Sequence, residues 1–160
     1  MKTSTRKPKR DSRISSLPLR IKSILVPLDF SAPSRKALAF AVSLARLFKA
    51  KLTVLHVVEP AATPEMAALV WEDEKSRAVA RTSLAQLLET THVPRRLVET
   101  TLVRFGRAFH EITEAARTRK VDLIVISTHG HTGLKRALLG STTERVVRHA
   151  SCPVFVVRQR

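Results

Sequence analysis

From Ser23 onward the chain alternates between two hydrophobic periods. Ser23–Asp29 (SILVPLD) is a short apolar run ending in an acid, the pattern of a strand covered on both faces. Pro27 has no N–H to give to a ladder, so regular pairing is expected to finish about there. Ser34–Ala50 repeats Leu38, Ala41, Val42, Ala45 and Phe48 at helical spacing, opened by Ser31 or by Ala32-Pro33. Lys51–Val58 (KLTVLHVV) reads as a second strand. After a Pro-Ala-Ala-Thr-Pro loop, Glu65–Thr90 reads as a long helix closed by His92-Val93-Pro94. Leu97–Arg104 alternates and is more polar, which suits a sheet edge. Gly106–Arg119 is a helix with Phe109, Ile112 and Ala116 on one face, and Val121–Thr128 is the most strand-like segment of all. A short helix, Ser141–Ala150, and a last strand, Pro153–Val157, complete the pattern.

Strands alternating with helices imply parallel pairing and right-handed crossovers, hence an α/β fold: a three-layer sandwich around a five-stranded parallel sheet. In the two common strand orders, 2-1-3-4-5 and 3-2-1-4-5, strand 1 borders the point where the winding reverses, and ligands sit there, at the carboxyl ends of the strands. Two segments reach that place. One is Pro27-Leu28-Asp29. The other is the connection after strand 4, Ser127-Thr128-His129-Gly130-His131-Thr132-Gly133, running on to Gly140-Ser141-Thr142. Three of the four glycines of the protein lie in that connection, which suggests tight bends or close backbone approach. Ser141-x-x-Glu144 has the form of a capping box, and a glycine loop feeding a helix N-terminus also offers amides to an anion. The sequence has no G-x-x-x-x-G-K-[ST], no G-x-G, no G-x-S-x-G and no H-E-x-x-H.

Charge changes the picture at one end. The net charge is +16, and residues 1–22 hold eight Lys or Arg against Asp11, so +7 of it sits there. This stretch is Arg-, Ser- and Thr-rich, the composition of a disordered basic arm or of a transit peptide. Residues 23–160 form one ordinary domain. With six Phe, one Trp and no Tyr, recognition of nucleic acid by aromatic stacking is disfavoured. The single cysteine, Cys152, excludes an internal disulfide and a multi-cysteine zinc site. The longest apolar runs are far short of the roughly 20 residues of a membrane span. No apolar signal region precedes Ser23, and a cytoplasmic location is expected.

Ser127-Thr-His-Gly-His-Thr-Gly-Leu, then Leu138-Leu-Gly-Ser-Thr-Thr-Glu, then Cys152-Pro-Val-Phe-Val-Val resemble the universal stress protein (UspA-type) family. Ile24-Leu-Val-Pro-Leu-Asp-Phe-Ser and Leu55-His-Val-Val do so too, and the likeness runs from about Ile21 to Arg158. The resemblance implies a Rossmann-like, adenine nucleotide-binding type of fold and a stress-response protein that binds ATP, with or without Mg2+. It implies that Asp29 holds the ribose or adenine end beside Pro27 and Leu28, and that Val57 lines the adenine pocket. Ser127, Gly130, Gly140, Ser141 and Thr142 would surround ribose and phosphates. The ATP-binding pattern of the family, G-x2-G-x9-G-[ST], is met by Gly130 and Gly140-Ser141, whereas its first glycine falls on Ser127. If that position needed φ > 0, a serine there would cost about 1–2 kcal/mol. Gly133 is an extra glycine. His131, Lys135 and Arg136 read as solvated loop residues, His129 as a loop-shaping hydrogen bonder, His56 as a satisfied core or interface histidine, and Cys152 and Asp122 as structural.

The expected activity is therefore binding and signalling as a homodimer paired through the last strand, Pro153–Val157, with no catalytic residue assigned. Three alternatives stand beside it: a non-ATP-binding interaction module, a slow ATP hydrolase, and weak nucleic-acid contact through the basic arm. Hydrolysis would need a metal-binding acid near the phosphates; the 127–142 loop has none, and Asp29 is expected to be the one acid at the site.

Overall fold

The computed structural model describes residues 20–59, 74–128 and 139–158. The strands are β1 Ser23–Leu28, β2 Lys51–Val58, β3 Val98–Phe105, β4 Leu123–Ser127 and β5 Val154–Val157. The helices are α1 Ala32–Phe48, α2 Glu74–Thr90, α3 Ala108–Thr118 and α4 Ser141–His149, with one 3-10 turn at Arg95–Leu97. Every strand pair is parallel and the order is β3-β2-β1-β4-β5, the second of the two expected orders. Strand β3 lies at an edge, as its polar alternation implied. Residues 65–73 of the expected long helix, residues 1–19 of the expected basic arm 1–22 and the 129–138 part of the glycine connection lie outside the described residues, whereas Ile21, at the end of that arm, is buried in the core.

Side chains buried on alternate faces along β1 build the three layers. Ile24, Val26 and Leu28 pack with Leu38, Ala41 and Ala45 of α1 and with Leu84 and Leu87 of α2. Leu25, between them, points to the opposite face, where it meets Ile112 and Ala115 of α3 and Val146 of α4. Period-2 strands meeting period-3.6 helices on both faces leave β1, β2 and β4 without a polar face, which is why they read as continuous apolar runs.

Pairing does not end at Pro27 on both sides. With β2 it continues in register to Leu28 opposite His56. With β4 it stops at Leu25 opposite Ile124, two residues before the proline. An imino acid removes the donor from one side of the strand, so the expectation holds for one neighbour and fails for the other.

Helix ends show a recurring device. Beyond α1, α2 and α3 the chain closes with an i to i−5 bond: the amides of Ala50, Val93 and Val121 donate to the carbonyls of Ala45, Leu88 and Ala116 at 2.9, 3.0 and 3.0 Å. Each closure is a Schellman-type motif and places one residue in the left-handed region. That residue is usually glycine. Here it is Lys49 (φ 55°), His92 (φ 51°) and Lys120 (φ 52°). A side chain at such a position costs about 1–2 kcal/mol, more than the 0.3–1 kcal/mol a cation gains from the helix C-terminal dipole. The Lys49→Gly, Lys120→Gly double variant is accordingly expected to be about 1–2 kcal/mol more stable. A melting temperature raised by several degrees checks this, and a lowered one contradicts it.

At the amino end of β4, Asp122 Oδ2 accepts from the amides of Lys22 and Ser23 at 2.8 and 2.9 Å, tying β4 to the start of β1. The structural role expected for Asp122 is thus observed. Cys152 lies beside it, half-buried; burial pushes its thiol upward, and the Asp122 charge adds to that shift.

Candidate functional site

The gap between β1 and β4 opens at the carboxyl ends of the strands, where the winding reverses, and becomes a cleft of about 500 Å³. Pro27, Leu28, Asp29, Val57, Ser127, Gly140, Ser141 and Thr142 all line it. Of the residues singled out from the sequence as nucleotide-binding, Gly130 alone is missing, because it lies outside the described residues, as do His129, His131, Gly133, Lys135 and Arg136. The cleft has a mixed character suited to a small ligand, with apolar walls and a few polar groups at its rim. Val57, Leu55, Ile112 and Ile126 supply the apolar surface.

Asp29 is held by its own chain. Its Oδ1 accepts from the Ser31 amide at 3.0 Å and from Ser31 Oγ at 2.6 Å, and Ser31 in turn caps α1 by accepting from the Ser34 amide at 3.3 Å. Between Asp29 and Ser31, Phe30 turns the chain at φ 65°. A bulky residue rarely adopts this conformation, and it costs about 1–3 kcal/mol. Two contacts hold it: Arg35 Nη1 donates to the Phe30 carbonyl at 2.9 Å, and the Phe30 ring lies 4.3 Å from the His56 ring. His56 Nδ1 donates to the Leu28 carbonyl at 2.8 Å, so this histidine is satisfied, as expected, but at the cleft wall rather than in a core.

The opposite wall joins β4 to α4. The Gly140 amide donates to the Thr128 carbonyl at 2.7 Å, Thr143 Oγ1 donates to the Ser127 carbonyl at 2.7 Å, and the Thr128 amide donates to the Val157 carbonyl at 3.0 Å. The expected capping box is not formed. Gly140, not Ser141, is the N-cap residue, no side chain caps the helix, and Glu144 pairs with Arg148 at 2.9 Å instead. The helix starts one residue earlier than the motif requires, which places Ser141 inside the first turn. The first intrahelical bond runs from the Glu144 amide to the Gly140 carbonyl. The amides of Ser141, Thr142 and Thr143 precede that bond and so have no intrahelical partner, at the end of the helix that carries partial positive charge. Gly140 itself has φ −66° and ψ 150°, a conformation open to any residue, so no special bend requires a glycine here.

Ser127 needs no special conformation either. It ends β4 in register with Val157 and is not among the residues of positive φ, so the cost raised for a serine at this point of the pattern does not arise. A second correction concerns acids. Asp29 is not the one carboxylate at the cleft, because Glu59 lines it too. Glu59 Oε1 accepts from the Ala108 amide at 2.7 Å and so caps α3 from the end of β2. The signal was present: Glu59 follows an apolar strand just as Asp29 does. Among the described residues no group of three or more His, Cys, Asp or Glu side chains is placed to hold a metal ion.

A five-stranded parallel sheet of order 3-2-1-4-5, with a cleft at the β1/β4 switch point lined by two carboxylates and a helix N-terminus, defines a Rossmann-like α/β protein of the nucleotide-binding type. The model of the universal stress protein family matches residues 20–158, and the chain belongs to that family. It is 34% identical over 141 residues to universal stress protein MJ0531 of Methanocaldococcus jannaschii, covering 86% of this chain and 82% of that one. Among solved structures, universal stress protein UspA from Lactobacillus plantarum superposes with a TM-score of 0.72 at 32% identity, covering 87% of this chain and 99% of the other. The universal stress protein from Archaeoglobus fulgidus in complex with dAMP shares the fold at a TM-score of 0.59 and 20% identity, over 86% and 98% of the two chains. Among the described residues no helix is long and apolar enough to cross a membrane.

Proposed function

We propose that this chain binds an adenine nucleotide, ATP, in the β1/β4 cleft and acts as a homodimeric binding and signalling module of the stress response. One observation carries the reading. The residues assigned to the nucleotide on sequence grounds come from four separate segments, and all those described converge on one cleft.

The donor set fits the ligand. The Asp29 carboxylate accepts hydrogen bonds from ribose hydroxyls, held in place by Ser31. The apolar walls around Val57 take the base. The first-turn amides of α4 and the Ser141 and Thr142 hydroxyls donate to phosphate oxygens. Mg2+, where present, is held mainly by the phosphates and water, with one or two carboxylates at most. Asp29 and Glu59 each use one oxygen to hold a backbone amide. The Archaeoglobus fulgidus complex with dAMP is consistent with an adenine ligand in this fold.

Denaturing freshly purified protein and identifying the released nucleotide by chromatography tests the reading. ATP or ADP in the supernatant supports it. An empty protein that also gives no heat on titration with Mg-ATP favours the non-nucleotide branch, in which the domain acts through protein contacts.

The dimer rests on the free edge of β5. The carbonyls of Pro153 and Val157 accept from the amides of Ile124 and Thr128 on β4, and parallel alternation sends the backbone groups of Val154 and Val156 the other way, outward. An unpaired apolar edge invites a second chain. Val156→Pro removes an outward amide and no bond to β4, so the fold is expected to persist while the dimer dissociates. Light scattering that still reports a dimer would remove β5 from the interface.

A further inference from the structure

The amino ends of the strands, opposite the cleft, carry a row of cations. Across the sheet, Arg96 precedes β3, Lys51 begins β2, Lys22 precedes β1 and Lys120 precedes β4, with Lys49 and Arg119 at the adjoining helix ends. All six side chains are exposed. Register and hydrogen bonds hold them together: the Lys51 amide donates to the Lys22 carbonyl at 2.8 Å, Lys51 Nζ to the Arg96 carbonyl at 2.7 Å, and the Asp122 amide to the Ser23 carbonyl at 3.0 Å. Neighbouring strand starts lie about 4.8 Å apart, so the row spans roughly 15 Å.

The acids at this end, Asp122, Glu89 and the exposed Glu99 at the start of β3, are outnumbered by the six cations and offset the row only in part. One oxygen of Asp122 holds two backbone amides, and Glu89 pairs with Arg95 at 3.4 Å. Among the described residues none of the six cations pairs with a carboxylate. Helix C-termini alone do not account for the pattern, because Lys49 and Lys120 occupy left-handed positions where glycine is favoured.

We propose that this amino-end face binds the phosphate backbone of nucleic acid, independently of the cleft and of its ligand. A row of cations about 4.8 Å apart has a spacing of the same order as that of a polyanion that carries one charge per roughly 3.4 Å along each strand, so several phosphates can be met at once. With no aromatic side chain in the row, the interaction is electrostatic and sequence-independent. A membrane surface fits less well. The exposed apolar side chains nearest this end, Leu47 and Val147, belong to helices on opposite faces of the sheet and form no common inserting patch.

The test is a titration of a short labelled DNA duplex with the full-length protein over a range of salt. A triple variant, Lys22→Ser, Lys49→Gly, Lys120→Gly, is compared with a control of equal charge, Lys36→Ser, Arg81→Ser, Arg107→Ser. Each cation that no longer neutralises a phosphate lowers the salt slope by about 0.9, so the face variant is expected to be shallower by about 2.7 and to bind at least about tenfold more weakly at low salt. The control keeps both within about twofold of wild type. The glycine substitutions favour the fold, and a melting curve verifies that the face variant is folded. Equal weakening in both variants would mean that net charge alone matters. Unchanged binding in both would assign it to residues 1–19. Tighter binding to phosphatidylserine vesicles than to duplex would assign the face to a membrane surface. Each of these three results overturns the proposal.

Discussion

Asp29→Ala is expected to weaken ATP binding about ten- to a hundredfold. Hydrogen bonds to a charged group contribute about 1.5–3 kcal/mol, and about 1.4 kcal/mol is a factor of ten. Asp29 also shapes its own turn through Ser31, so alanine disturbs both ligand and fold. Asp29→Asn separates the two. The amide oxygen still accepts from Ser31, so the melting temperature stays near that of wild type while the charge toward the ribose is gone. Ser31→Ala does the converse: the carboxylate remains but is deprived of its 2.6 Å partner, and α1 loses its cap at a cost of about 1 kcal/mol. Calorimetry with Mg-ATP on the three variants is the measurement. If Asp29→Asn and wild type bind alike, Asp29 serves the turn and not the nucleotide.

Leu25→Ala should produce the largest loss of stability, about 2–5 kcal/mol. The side chain is fully buried on the central strand and is the one contribution of that strand to the face covered by α3 and α4 within the Ile24–Val26 run. Both layers are close-packed around it, so the site has little room to collapse. For a domain of this length the melting temperature should fall by about 10 °C. A loss under about 1 kcal/mol would mean that the α3/α4 layer is packed more loosely than the burial of Leu25 implies.

The architecture was legible because burial and period coincide. Strands buried on both faces become apolar runs, and helices covering them show one apolar stripe, so each expected element within the described residues is present within about two residues of its expected ends. The cleft was legible for a topological reason: in either common strand order, strand 1 borders the switch point, and Asp29 follows strand 1. What escaped depends on three-dimensional neighbours. Ser141-x-x-Glu144 matches a capping pattern, but tertiary bonds from Gly140 and Thr143 to the end of β4 fix where the helix starts. Glu59 caps a helix that begins 49 residues later. The left-handed Phe30 and the three left-handed helix ends carry residues that local preference assigns elsewhere.

The early end of the β1–β4 ladder has a consequence for how the molecule comes apart. β1, β2 and β3 follow one another in sequence and pair along their lengths, whereas β4 returns to β1 across about a hundred residues and is held at its amino end alone, by the Asp122 bonds to Lys22 and Ser23 and the pairing at Ile24 and Leu25. Closing that long loop is entropically slow, so β4 and β5 are expected to dock late in folding and to part first in unfolding. A ligand lodged across this seam joins the two halves where the backbone does not. The nucleotide proposed for the cleft would act there as a removable cross-link, and its presence is expected to lengthen the survival of the native sheet once the edge begins to open.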